Sequence, residues 1–133
     1  MHKFDTAVML PDTDAAGILF YGNYFRKSHE AYEFFMEGLD FGLEFVVNES
    51  ECLLLIAHAE ADFRSSLKLG ERYSILTEVE KLGGKSFTLK YDFVNAAGTV
   101  CASIRTIHVA VDKKSGKTTA LPETLREKLA QHR

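Results

Sequence analysis

Asn23-Tyr24-Phe25-Arg26-Lys27-Ser28-His29-Glu30-Ala31-Tyr32-Glu33-Phe34-Phe35-Met36-Glu37-Gly38 contains no Pro, and no Gly before its last residue. Tyr24, Ser28, Ala31 and Phe35 recur at the spacing that lines one face of an α-helix, with Phe25, Tyr32 and Phe34 on the flanks. The pattern predicts one long, largely buried helix, with Asn23 capping its start and Gly38 closing it as the C′ residue. So much apolar helix surface needs a broad cover, and the rest of the chain reads as strands.

Downstream of Glu51 the period of the apolar residues changes from about 3.6 to 2. Leu53 to Arg64 becomes an alternation of Ala57, Ala59, Ala61 and Phe63 with His58, Glu60, Asp62 and Arg64. Tyr73, Ile75, Thr77 and Val79 alternate next, then Phe87, Leu89, Tyr91 and Phe93 opposite Thr88, Lys90 and Asp92. Leu82-Gly83-Gly84-Lys85 and Asn95-Ala96-Ala97-Gly98 are turn strings, and the second leads into a last long strand, Thr99 to Asp112, so an antiparallel meander is expected. Upstream of the helix, Thr6 to Leu10 reads as a short strand stopped by Pro11. At the other end Leu121-Pro122-Glu123 opens a short amphipathic helix, with Pro122 in the first helical position and Leu125 and Leu129 one turn apart. The stretch from Leu39 to Ser50, apolar at Leu43, Phe45, Val46 and Val47, fits a short helix or a loop equally well.

This order predicts an α+β fold in which one antiparallel sheet wraps one central helix, as a single domain over residues 1–133. One helix covers one sheet face. The other face and an edge strand are therefore expected to be covered by further copies of the chain, in a homotetramer built as a dimer of dimers.

Composition excludes several classes of function. The 133 residues are 46% hydrophobic and 26% charged, enough for one genuine core. A net charge of -3 argues against a broad nucleic-acid surface. The two cysteines, Cys52 and Cys101, sit in apolar strand-like runs without metal or redox spacing and read as reduced core residues. Met1-His2-Lys3-Phe4-Asp5 lacks signal-peptide character, and the longest apolar run, Cys52 to Ala57, is too short to span a bilayer. A cytoplasmic protein without a membrane partner is expected.

Just before the long helix stands Asp12-Thr13-Asp14-Ala15-Ala16-Gly17-Ile18-Leu19-Phe20-Tyr21-Gly22-Asn23-Tyr24, an acidic turn, two glycines and a helix start within thirteen residues. A carboxylate on such a turn can stand beside the exposed N–H groups of a helix N-terminus, a pairing that supplies a base or nucleophile next to a site that polarises a carbonyl. The same string also fits an acidic β-turn leading into an ordinary buried helix.

The element order and this string together resemble the hotdog-fold acyl-CoA thioesterases, specifically the 4-hydroxybenzoyl-CoA thioesterase family, over nearly the whole chain. The resemblance implies that the second acid of the Asp-x-Asp turn, Asp14, is the catalytic carboxylate and that the backbone N–H at Tyr21 polarises the thioester carbonyl, with Gly22 as a second donor. It implies that Lys85 and Ser86, after Gly83 and Gly84, form the turn that contacts coenzyme A phosphates. Gly17 and Tyr24 are expected beside the substrate, and His58 as a polar contact to a ring hydroxyl. Within the family, His29-Glu30-Ala31-Tyr32-Glu33, His58-Ala59 before Asp62-Phe63, and Thr106-Ile107-His108-Val109 resemble the branch that hydrolyses 1,4-dihydroxy-2-naphthoyl-CoA. No cofactor and no metal are implied, since coenzyme A is part of the substrate.

The chemistry suits these residues. A coenzyme A thiolate leaves with a pKa near that of a cysteine thiol, about 8.5, so one carboxylate can suffice, either as nucleophile or as general base on water. Glu30 is a second carboxylate able to hold a water. No Ser lies in a Gly-x-Ser-x-Gly setting, which argues against a serine triad. Two alternatives share the fold. A non-catalytic acyl-CoA binding module has no use for Asp14, and a regulatory version would need a DNA-binding segment for which 133 residues leave no space. A hydratase would need an Asp/His pair on the long helix, where His29 has no Asp after it.

Overall fold

In the computed structural model, which describes residues 2–42, 46 and 50–133, the period-2 segments pair into one sheet. The elements are β1 (His2–Ala7), a 3-10 turn (Leu10–Asp12), α1 (Tyr21–Gly38), β2 (Cys52–Phe63), β3 (Arg72–Leu82), β4 (Ser86–Asn95), β5 (Val100–Asp112) and α2 (Glu123–Ala130). The sheet runs β1-β3-β4-β5-β2 and every pairing is antiparallel. β3, β4 and β5 form the expected meander. β2 crosses over to the far edge beside β5, and β1 closes the other edge beside β3.

α1 lies on one face of this sheet. Its buried stripe is Tyr24, Lys27, Ser28, Ala31, Tyr32, Phe35 and Met36, which faces the buried strand residues Tyr73, Ile75, Val79, Phe87, Leu89, Tyr91, Phe93, Ala102 and Ile104. Each fully buried aromatic or aliphatic side chain here contributes roughly 1.5–3 kcal/mol, so this contact dominates the energetics of the fold. α2 closes the end of the core near the α1 C-terminus. Leu125 and Leu129 are buried as the spacing predicts, and Lys128 Nζ donates to the Leu39 carbonyl at 2.8 Å.

Several expectations are corrected. β1 is His2–Ala7, not Thr6 to Leu10. Asp12 Oδ2 accepts the Met9 N–H at 2.9 Å, which turns the chain at Pro11 and leaves Met9 and Leu10 exposed rather than paired. α1 begins at Tyr21 with Phe20 as N-cap. Asn23 does not cap it, because its side-chain amide donates instead to the Asp12 carbonyl at 2.8 Å. At the other end Gly38 is still helical, and the left-handed residue is Asp40, at φ 60°. Phe25 and Phe34 are exposed, so α1 is buried along one stripe and not all round. Pro122 is the N-cap of α2, one position before the first helical residue. Of the apolar positions in the 39–50 stretch, Leu43, Phe45 and Val47 lie outside the described residues, while Val46 is buried.

The second sheet face carries the other half of the alternation. It is polar: Arg105 Nε donates to both carboxylate oxygens of Glu80 at 3.0 Å, Ser103 donates to Asp92 at 2.7 Å, and Lys90 lies 3.7 Å from Asp92. Ion pairs and hydroxyls therefore line the face turned away from α1. The apolar surface left open is instead on the edge strand β2, where Leu55, Ile56 and Phe63 are 49%, 45% and 50% exposed.

Candidate active site

The loop from Asp14 to Leu19 is built by its own backbone. Asp14 N–H donates to the Ile18 carbonyl at 2.9 Å and Gly17 N–H returns to the Asp14 carbonyl at 3.1 Å. Gly17 holds φ +76°, which a residue with a Cβ adopts only under strain. The loop is then pinned to the segment after β2: Leu19 N–H donates to Leu67 at 2.7 Å, and Leu69 N–H to Gly17 at 2.9 Å. The carboxylate of Asp14 is half-buried within this frame. Its Oδ1 accepts the N–H groups of Ala16 at 2.8 Å and Ile18 at 3.3 Å. Oδ2 has no hydrogen-bond partner among the described residues, so one oxygen is held by the turn and the other is open.

The start of α1 complements that oxygen. No side chain caps the helix, and Asn23 N–H closes on Phe20 at 2.9 Å. The N–H groups of Tyr21 and Gly22 have no partner among the described residues, and they carry the positive end of an 18-residue helix. Gly22 is small for a packing reason: a Cβ there would lie 3.0 Å from the Phe20 ring. Asp14, Ile18, Tyr21, Tyr24, Phe63 and Arg64 line one open cleft of about 380 Å³. The cleft thus joins a carboxylate with a free oxygen to unbonded amides, the donor set that a tetrahedral oxyanion requires. Tyr24 packs against Phe63 and Phe93, each at 5.0 Å, and burial pushes its phenol up to about 12, so it faces the cleft uncharged.

Asp12, two residues earlier, has a different environment. It is buried, Oδ1 is paired with Arg26, Oδ2 accepts Met9, and its carbonyl accepts both Phe20 N–H at 3.0 Å and Asn23 Nδ2 at 2.8 Å. Lys27 Nζ stands 3.8 Å from Asp12 and 3.2 Å from Glu30. Asp12 ties the loop to the first turns of α1 and leaves Asp14 as the open acid.

A second cavity, about 520 Å³, is lined by Phe25, Arg26, His29, Glu30, Ile56, Ala59, Tyr91 and Thr106 among others. Tyr21 and Tyr24 line the first cavity and Phe25 and Arg26 the second, so the two follow one another along the opening turns of α1. Beneath its floor lies His108, fully buried, with Nε2 2.7 Å from Thr106 Oγ1, which is in turn 3.0 Å from the Tyr91 hydroxyl. Burial, and then His29, lowers the His108 pKa to about 3, so this imidazole is neutral.

The remaining expected residues are not all brought to the cleft. Ser86 pairs with Val109 and Val109 with Leu55, whereas Phe63 pairs with Ala102. The Gly84-Lys85-Ser86 turn therefore stands level with Leu55, at the other end of β2 from Phe63, roughly 27 Å away along the strand at ~3.4 Å per residue. Within one chain it does not reach Asp14. The Gly84 carbonyl accepts Leu121 N–H at 2.9 Å, and Lys85 is exposed. His58 is a second correction. It lines neither cavity, is exposed, and lies 3.4 Å from Glu60. A bulge between Ile56 and His58 takes Ala57 out of register and puts Ile56 and Ala59 on the cavity, leaving His58 on the opposite face.

Sequence reasoning missed the wall opposite α1, formed by Phe63, Arg64, Ser65 and Ser66, and the buried His108–Thr106–Tyr91 line. Only the Thr-x-His spacing on β5, which puts both side chains on one strand face, signalled the latter. Among the described residues no cluster of His, Cys, Asp and Glu could hold a metal ion, and no helix is long and apolar enough to cross a membrane.

Comparison with known proteins agrees with this geometry. A family profile described as the thioesterase-like superfamily matches residues 8–129, a broader description than the 4-hydroxybenzoyl-CoA branch. A 1,4-dihydroxy-2-naphthoyl-CoA hydrolase of Rippkaea orientalis is 32% identical, over 94% of this chain and 92% of its own. One from Nostoc punctiforme is 30% identical, over 98% and 87%. Among solved structures, a gentisyl-coenzyme A thioesterase superposes with a TM-score of 0.86 at 28% identity, covering 96% of this chain and 99% of that one. A 1,4-dihydroxy-2-naphthoyl-CoA thioesterase from Synechocystis shares the fold, with a TM-score of 0.90 at 23% identity over 96% and 94%. With a matched profile spanning nearly its whole length and hydrolases among its relatives at about 30% identity, the chain belongs to the thioesterase-like superfamily, as a hydrolase of the hotdog fold.

Proposed function

We propose that the protein hydrolyses an aryl acyl-CoA thioester to the free acid and coenzyme A, with 1,4-dihydroxy-2-naphthoyl-CoA as the leading substrate. The observation that carries this reading is the unpaired Oδ2 of Asp14 in a cleft lined also by Tyr21, whose N–H, like that of Gly22 next to it, has no partner among the described residues. The thioester carbonyl oxygen sits on those amides, and Asp14 either attacks the carbonyl carbon, giving an anhydride that water then cleaves to the free acid, or draws a proton from a water that attacks directly. The thiolate leaves without an acid to protonate it, and no cofactor takes part. The relatives' names supply the substrate class, and the second cavity, about 520 Å³ with Phe25, Ile56 and Tyr91 in its walls, offers an apolar place for a ring.

A series of benzoyl, hydroxybenzoyl, dihydroxynaphthoyl, hexanoyl and palmitoyl esters of coenzyme A tests it, with free thiol as the readout. Dihydroxynaphthoyl-CoA is expected to give the highest kcat/KM and palmitoyl-CoA the lowest, since one methylene is worth at most ~1–3 kcal/mol in a pocket that fits it and a long chain has no tunnel here. Palmitoyl-CoA at the head of the series contradicts the aryl pocket. Binding without thiol release from any ester marks an acyl-CoA binding module instead.

The working unit is a homotetramer of two dimers. β2 offers a free edge of twelve residues with exposed Leu55, Ile56 and Phe63, and an unprotected edge of this kind pairs readily with a second copy. A twofold axis beside β2 sets the Leu55 end of one protomer next to the Phe63 end of the other, which carries the Gly84-Lys85-Ser86 turn of one chain toward the Asp14 cleft of its partner. The polar outer sheet face makes the second, weaker interface. Light scattering at micromolar concentration is expected to give at least the mass of a dimer, and a monomer there overturns the assembly. Both cysteines are unpaired and buried, as suits a reducing cytoplasm.

A further inference from the structure

Tyr91 and Thr106 have a hydrogen-bond balance that leaves a donor over. The two hydroxyls supply two O–H groups, and one is taken up between them at 3.0 Å. What happens to the other depends on His108, whose Nε2 lies 2.7 Å from Thr106 Oγ1 and whose Nδ1 is buried without a partner among the described residues. A neutral imidazole carries one proton. Three donors meet only two internal bonds here, so one proton is left over in either tautomer: on Nδ1 it is an N–H sealed in the core with no acceptor, whereas on the hydroxyl pair it is an O–H at the wall of a cavity, where water or a ligand oxygen can accept it. The proton therefore belongs on Nε2, which donates to Thr106. Stacking of the His108 ring between Tyr32, at 4.4 Å, and Phe87, at 4.9 Å, keeps this orientation. With Thr106 already accepting from His108, one O–H of the Tyr91–Thr106 pair has no acceptor in the protein, and both side chains line the second cavity.

We infer that the Tyr91–Thr106 hydroxyl pair is a specificity-determining donor for an oxygen substituent on the acyl group, with His108 as the residue that sets its direction. The inference rests on the thioesterase reading for the identity of the acyl group. A thioester carbonyl held at the amides of Tyr21 and Gly22 points its acyl group along α1 into the next cavity, about one helical turn on, at ~5.4 Å per turn. There an aromatic ring lies against Phe25 and Ile56 while a phenolic or carbonyl oxygen on it receives the free O–H. An unsubstituted ring leaves that donor unmet, and a site built to bond an oxygen discriminates against the analogue that lacks it. Burial pushes the Tyr91 phenol up, so the hydroxyl stays protonated across the working pH range.

The test compares hydroxybenzoyl-CoA, with its hydroxyl ortho or para, against benzoyl-CoA. Binding is measured by calorimetry on enzyme carrying Asp14→Asn, and kcat/KM on enzyme with Asp14 intact. Tyr91→Phe is expected to weaken binding of the better hydroxylated ester roughly tenfold and to leave benzoyl-CoA within about twofold, with the loss in KM rather than kcat. Thr106→Val is expected to do the same and Thr106→Ser to restore the preference, which separates donation from packing should Tyr91→Phe fold poorly. Equal loss for both esters, an unchanged preference, or no preference in the unsubstituted site overturns the inference. If the hydroxyl preference is present and collapses in Tyr91→Phe, yet no thiol is ever released, the donor stands and the hydrolase reading falls.

Discussion

Replacing Asp14 by Asn is expected to lower kcat/KM for the best thioester by about 10²–10⁴-fold while leaving the protein folded and able to bind coenzyme A esters. The geometry separates the two effects. Oδ1 holds the turn by accepting Ala16 and Ile18, and an asparagine carbonyl oxygen keeps both bonds. What is lost is Oδ2 as an attacking or proton-accepting oxygen, and that atom has no structural task among the described residues. Thermal unfolding of the variant is expected within a few degrees of the parent. Activity within a few-fold of wild type sinks the assignment of Asp14, whichever of its two roles is correct.

Asp12→Asn is expected to show the reverse pattern. Its carboxylate is buried between Arg26, Lys27 and the Met9 N–H, all donors, so an amide nitrogen placed there faces another donor. Removing one partner of such a cluster costs roughly 2 kcal/mol. Arg26 is half open to solvent, which keeps the figure at the lower end of the range for buried pairs. For a chain of this length that corresponds to a fall in Tm of about 6–10 °C. Well below that temperature kcat/KM is expected to drop by less than tenfold, because the backbone bonds from the Asp12 carbonyl to Phe20 and Asn23 survive the change. Differential scanning calorimetry alongside the thiol assay reads both quantities. A stable but inactive Asp12→Asn enzyme would move the chemistry from Asp14 to Asp12.

The contrast between these neighbouring acids marks where local sequence stops being informative. The alternation in β3 and β4, the helical spacing of Tyr24, Ser28, Ala31 and Phe35, and the leucine pair of α2 were legible because each depends on contacts within one element, whose period is set by backbone geometry. The Asp-x-Asp turn with its glycines was legible as a site for the same reason: Gly17 and the helix start are fixed within a few residues of Asp14. Helix and strand ends were less so, since Asn23 could cap its own helix or bond the Asp12 carbonyl, and tertiary packing chose the second.

Elements joined only by the fold had no local signature. The placing of β2 beside β5 brings Phe63 and Arg64 to the Asp14 cleft and sends Lys85 to the far end of the strand. That choice is made by non-local strand pairing, whose register no single segment encodes. His58 stands opposite Ala59 and Phe63 as the alternation has it, whereas the bulge that brings Ile56 onto the cavity face beside Ala59 has no sign in simple alternation. The Arg105–Glu80 pair on the outer sheet face, which joins β5 to β3, and the His108–Thr106–Tyr91 line, which joins β5 to β4, likewise exist only once the strands are in register. The amino-acid sequence by itself determined which elements form and which carboxylate stands beside a helix start, because those are short-range properties of the chain. Only the tertiary structure decided what lines the cleft opposite that carboxylate and which buried hydroxyls line the second cavity, because those depend on burial and on the register between strands far apart in sequence.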